Sequence, residues 1–206
     1  MTVSLPTSAR TAGRVFRAIA VAGTLIAMQG TGVAAAAGHH RAQSKSDASC
    51  ADIGLVPTPA TGSRAETATF CLVNVQRARH GLRALRQNAD LARSSDRHSA
   101  DMVSQNYFDH TSPTGETPLA RIKASTYLPR RSAYLVGENI AIGTMQLATP
   151  ASIVASWMQS PEHRANILNP DFRDSGVGIV AQAPSQYSGG QSGATYTQQF
   201  GVIAKG

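Results

Sequence analysis

Little in this chain is long and apolar, repeated or aromatic. Beyond its first 37 residues, no hydrophobic stretch approaches the roughly 20 residues that a membrane span requires, so no integral membrane segment is expected once those residues are removed. Aromatic residues make up 5% of the sequence and are not interleaved with an arginine-rich stripe, which argues against nucleic acid as a partner. No internal repeat is present, and no G-x-S-x-G segment marks a serine nucleophile at a strand-to-helix turn. Cysteine is scarce. Cys50 and Cys71 are the only two, and an even count in a secreted chain favours one disulfide between them.

Secretion is read from the N-terminus. Arg10, Arg14 and Arg17 form a basic region without acids, Ala18 to Met28 is a short apolar run, and Ala35-Ala36-Ala37 fits a cleavage pattern. Residues 1–37 therefore read as a signal peptide. Their removal takes three arginines and no acid, so the formal charge of +7 falls to about +4. A mildly basic secreted protein is drawn to anionic wall polymers or lipid headgroups. With no sorting tail after the last strand, the expectation is a released, extracellular monomer. Residues 38–62 lack a hydrophobic period and read as a flexible linker held at Cys50. Within it, Gly38-His39-His40 reads as a solvated tail.

The folded domain is expected over 63–206. Ser63 and Glu66 have capping-box spacing ahead of a helix over 65–80, which Gly81 stops. Asn88 is placed to cap a helix over about 89–105, whose inner face carries Leu91, Ser95, His98 and Met102. His98 is thus expected as a satisfied core histidine. Thr117-Pro118, Thr149-Pro150 and Ser160-Pro161 each open a further helix, and 126–136 reads as irregular. The period then changes to two over 176–181 and 194–203, predicting an antiparallel hairpin. Short helices followed by terminal strands make an α+β domain with one core.

Three separate stretches contribute His110, Glu138 and His163. Two imidazoles and a carboxylate suit zinc, which in open sites takes three protein ligands and water. The same trio suits proton transfer, since a carboxylate orients a histidine and raises its pKa. It also suits plain support of the fold, with Glu138 bonding backbone N–H groups of a tight turn and His163 bonding a carbonyl. Glu162 is expected to point away from His163, and Ser160 to act as a helix cap.

These segments resemble the CAP superfamily, also called SCP or PR-1-like (cysteine-rich secretory proteins, antigen 5, pathogenesis-related 1), in its short bacterial secreted form. The resemblance rests on His98-Ser99-Ala100-Asp101-Met102, Tyr107-Phe108-Asp109-His110-Thr111-Ser112-Pro113, Gly137-Glu138-Asn139-Ile140-Ala141, Trp157 with Ser160-Pro161-Glu162-His163-Arg164, Gly176-Val177-Gly178 and Tyr196 to Gly201. It implies a single α-β-α sandwich and a central cleft lined by two histidines, here His110 and His163, and two glutamates. Glu138 is the first. The second falls on Ser160, so the metal set His110, Glu138 and His163 is one anionic ligand short.

Two functions follow as expectations. One is a secreted ligand-binding or interaction module, with lipid, sterol or cell-wall polymer as partner. The other is a metal-assisted or His/Glu acid–base hydrolase acting on peptide, ester or wall substrates, with His110, Glu138 and His163 as the catalytic candidates.

Overall fold

A computed structural model describes residues 50–129 and 132–204. The expected signal peptide, the Gly38-His39-His40 segment and the expected linker up to Ser49 lie outside the described residues. The first helix, α1 (Gly62–Arg79), leads through a two-residue strand, β1 (Arg86–Gln87), to α2 (Ala89–Ser104) and the short α3 (Pro118–Ala124). Then come β2 (Tyr134–Thr144), a 3-10 turn (Met145–Ala148), α4 (Pro150–Gln159), α5 (Pro161–Ile167), β3 (Asp174–Val180), the single-turn α6 (Ser185–Ser188) and β4 (Gly193–Ile203). The class is α+β.

The helix starts follow side-chain chemistry. Asn88 accepts from the N–H groups of Asp90 and Leu91, Thr117 from Ala120 and Thr149 from Ser152, each satisfying amides that a first helical turn leaves open. The capping box expected at α1 does not form. Thr61 holds the cap position without a side-chain bond, and the Glu66 carboxylate instead accepts from the Ile179 N–H at 3.3 Å. Residues between Cys50 and Val56, expected as part of the linker, pack on the domain. Cys50 is buried and bonded to Cys71, Ile53 and Val56 pack on the main core, and the Ile53 carbonyl accepts from Ala151.

The sheet order is β1-β3-β4-β2. The expected hairpin is present as β3 against β4, antiparallel with Val177 opposite Gln198. The second antiparallel partner of β4 is β2, with Glu138 opposite Gln199. Residues 134–136, expected as irregular, belong to this eleven-residue edge strand. Its sequence hides it because both faces are largely buried, so apolar and polar residues do not alternate along it.

Helices cover both faces of the sheet. On one face α1 and α4 pack around Trp157, Phe172, Tyr196 and Phe200. On the other, α2 lies unusually close to β3. A Cβ on Gly176 would stand 2.0 Å from the Ala92 nitrogen, and one on Gly178 would stand 2.1 Å from the Asp96 nitrogen. Small serines on α2 use that approach: Ser95 and Ser99 donate to the carbonyls of Gly176 and Gly178. This close layer brings His98 against the polar face of β2.

Candidate functional site

Successive residues of β2 point to opposite layers. Gly137 and Asn139 face α5, while Glu138 faces α2 and α3. Gly137 has no room for a side chain, since a Cβ would meet Asn166 and the Phe172 ring at 2.9 Å. The Asn166 amide donates to the Glu138 carbonyl and to Asn139, and Asn139 donates to the His163 carbonyl. The Gly-Glu-Asn run thus fastens α5, with His163, to one side of the edge strand and presents a carboxylate on the other.

Glu138 is not in a tight turn, and its side chain is 1% exposed. Its Oε1 accepts from His110 Nδ1 at 2.9 Å, its Oε2 accepts from Gln199 Nε2 at 3.0 Å, and Arg121 Nη2 lies 3.2 Å from both oxygens. Burial by itself would raise the Glu138 pKa. The His110 bond, the Arg121 charge and the Gln199 bond outweigh it and hold the group below its usual value. Arg121 is itself buried and donates to the carbonyls of Glu116 and His110, so it also fixes the loop that carries His110.

His98 points inward as its helical position implies, but it is not satisfied. Its Nε2 has no hydrogen-bond partner among the described residues and lies 3.8 Å from Glu138 Oε1. Its Nδ1 faces the Tyr107 hydroxyl at 3.4 Å, and that hydroxyl donates to Asp101 at 2.6 Å. Desolvation pushes the His98 pKa down to about 4, so the ring is neutral at pH 7. Burial pushes the Tyr107 hydroxyl pKa up, and the bond to Asp101 adds to this.

His163 is held differently. Its Nδ1 is 2.8 Å from Ser160 Oγ, and that hydroxyl donates to Glu162 Oε2 at 3.1 Å. A hydroxyl has one proton, so Ser160 accepts from His163 and the imidazole carries its proton on Nδ1. His110 is likewise protonated on Nδ1, because a carboxylate only accepts. When either ring carries only that proton, its Nε2 is the lone-pair nitrogen. Glu162, expected to point away, ends this second chain, and Ser160 makes no cap bond. Desolvation lowers the His163 pKa, the nearby His110 lowers it further, and Glu162 opposes both.

Of the expected trio, His110 and Glu138 are in direct contact, and His163 is bonded to Ser160. Among the described residues no three His, Cys, Asp or Glu side chains come together to hold a metal ion. Glu138 is enclosed by donors from His110, Arg121 and Gln199. His110 and Glu138 are joined directly, whereas His163 belongs to α5, which is fastened to Asn139. Sequence reasoning missed Arg121 and Gln199. Arg121 reads as a solvated helix cation, and the Gln198-Gln199 pair inside a β-forming run was the one available signal.

The helices and four-stranded sheet define an SCP-type α+β sandwich. The chain belongs to the cysteine-rich secretory protein (CAP) family, whose model matches residues 70–200. It is 39% identical over 142 residues to the uncharacterized protein YkwD of Bacillus subtilis, a match covering 69% of this chain and 49% of YkwD. An extracellular protein containing a SCP domain from Bacillus anthracis superposes with a TM-score of 0.54 at 32% identity, over 72% of this chain and 44% of that one. An outer surface protein from Borrelia burgdorferi shares the fold, with a TM-score of 0.52, 19% identity, and coverage of 66% of this chain and 90% of its own. The chain thus spans about half the length of YkwD and of the Bacillus anthracis protein.

Proposed function

We propose that this is a secreted, extracellular CAP-domain protein, monomeric, whose edge-strand cleft binds a hydroxyl-bearing ligand, a cell-wall glycan or a sterol. The observation that carries this reading is the pair of imidazoles, each held through Nδ1 by a chain ending in a carboxylate. Their free Nε2 lone pairs accept hydrogen bonds, and the polar groups around them suit hydroxyl donors. Ser160 does not serve as a nucleophile, because the facing imidazole nitrogen already carries a proton and cannot take another. The Cys50–Cys71 bond, the basic and apolar leader, and the extracellular Bacillus anthracis relative support export. The test compares retention on insoluble wall polymer and uptake of sterol from vesicles for the wild type and a His110→Ala/His163→Ala double variant. Selective retention or uptake lost in the variant is expected. No binding of either class by the wild type would sink the reading.

A second reading, a His/Glu acid–base hydrolase, is favoured by the direct His110–Glu138 bond, which has the geometry of a base and its orienting carboxylate. It requires that hydrolysis of a peptide, ester or wall substrate fall sharply in His110→Ala, His163→Ala and Glu138→Gln. Activity unchanged by these substitutions would end it.

A further inference from the structure

Away from the cleft, a cavity of ≈ 430 Å³ opens where β1, the start of β3 and the end of β4 meet, lined by Arg83, Arg86, Arg173, Asp174, Val202 and Ile203. Among the described residues Asp174 is the one carboxylate in its wall, and both its oxygens are engaged. Oδ1 takes Arg86 at 2.9–3.0 Å, and Oδ2 accepts from the Tyr127 hydroxyl at 2.9 Å. Arg173 donates through Nη1 to the carbonyls of Pro170, Asp171 and Phe172. The Arg83 guanidinium has no hydrogen-bond or ion-pair partner among the described residues. Behind Arg83 lies a further cation: Arg77 is fully buried and donates to the carbonyls of Arg83, Ile167 and Asn169. Its Nη2 has no partner among the described residues, and it sits close enough to Arg173 for the two charges to repel. Among the described residues, three guanidiniums and one committed carboxylate thus line the cavity, with the buried Arg77 behind them, which concentrates positive potential there.

We infer that this cavity is a second binding site, for a phosphate ester borne on a soluble polyol-phosphate chain. Guanidinium forks match phosphate oxygens in pairs, and the apolar edge of Val202 and Ile203 suits the carbon chain between phosphates. A lipid headgroup fits less well. The exposed large apolar side chains, Met145, Leu147 and Tyr187, belong to the turn after β2 and to the connection before β4, at the opposite end of β4 from the cavity. Among the described residues, the wall around the cavity therefore carries no exposed large apolar side chain to enter a bilayer.

The experiment titrates the disulfide-bonded protein with a poly(glycerol phosphate) chain, with sulfate, and with phosphatidylglycerol vesicles. It uses the wild type, Arg83→Glu, and Arg64→Glu as a charge-reversal control at the far end of α1. Arg83 is exposed and its side chain unpaired, so thermal melting should show Arg83→Glu folded. The expected result is polymer binding that Arg83→Glu weakens about tenfold, with the salt slope reduced by about one, and that Arg64→Glu alters less than about twofold. Equal losses in both variants would reduce the effect to net charge. Displacement by sulfate as strong as by polymer would mean an adventitious ion only, and binding to vesicles alone would make the partner a membrane. Polymer binding that survives Arg83→Glu but is lost in His110→Ala/His163→Ala would assign it to the cleft. Any of these results overturns the second site.

Discussion

Ser160 stands where the family resemblance places a glutamate, and the structure gives it a different task. It passes the hold on His163 to Glu162, two residues on, through one hydroxyl. Removing that hydroxyl should free the imidazole to redistribute its proton. In Ser160→Ala, the ring nitrogens observed by NMR should change from a dominant Nδ1–H form to a mixture of tautomers, and an unchanged spectrum would contradict the assignment. His98 makes a second prediction. Its folded pKa of about 4 lies below its usual 6.5, so between those values the unfolded chain binds a proton that the native ring refuses. Its share of the stability is complete above 6.5 and is lost as pH falls toward 4. Denaturant unfolding at several pH values should show stability rising through this window, and His98→Gln should flatten the rise. Neither role is legible from residue type alone. A histidine on the inner face of a helix reads as ordinary core, and a serine before proline reads as a cap.

Among the elements, the helices could be read from sequence because their starts are local. Asn88, Thr117 and Thr149 cap within three residues of themselves, and no distant contact is needed to recognise them. The strand that carries Glu138 could not be read in this way, since what makes it a strand is pairing with residues some sixty positions away. The close layer of α2 on β3 depends on two absent side chains. In Gly178→Ala the new methyl would overlap the α2 backbone at Asp96, which cannot move as a rotamer can. A loss of about 3 kcal/mol or more is expected in chemical unfolding, and a loss below about 0.5 kcal/mol would show that α2 yields freely.

The outer edge of β3 carries another element-scale feature. Glu66 from α1 and Asp96 from α2 converge on the Ile179 N–H. Burial, with the neighbouring Asp96 charge adding to it, raises the Glu66 pKa to about 7. A raised carboxyl favours the folded state while it is protonated, so its contribution is complete below the ordinary value of 4.5 and is lost as pH rises through about 7. Glu66→Gln keeps an acceptor for Ile179 and removes the charge. Its melting temperature should exceed the wild type's at pH 8 and match it near pH 4. A variant less stable at pH 8 would refute this account.

At the scale of the whole molecule, one disulfide closes a loop of 21 residues and ties Cys50 to α1. Its removal in a Cys50→Ser/Cys71→Ser variant should cost about 3 kcal/mol. It should also expose residues 51–61 to proteolysis before the rest of the chain is cut. Cleavage no faster than in the wild type would mean that Ile53 and Val56 hold that segment unaided. The bond has a mechanical consequence as well. Cys71 lies near the middle of α1, and α1 packs on both β3 and α4. A pull on the chain ahead of Cys50 passes through the covalent link directly to mid-helix, bypassing residues 51–70. Tension is then shared by the sheet and its covering helices, and the segment that would otherwise peel away first carries no load.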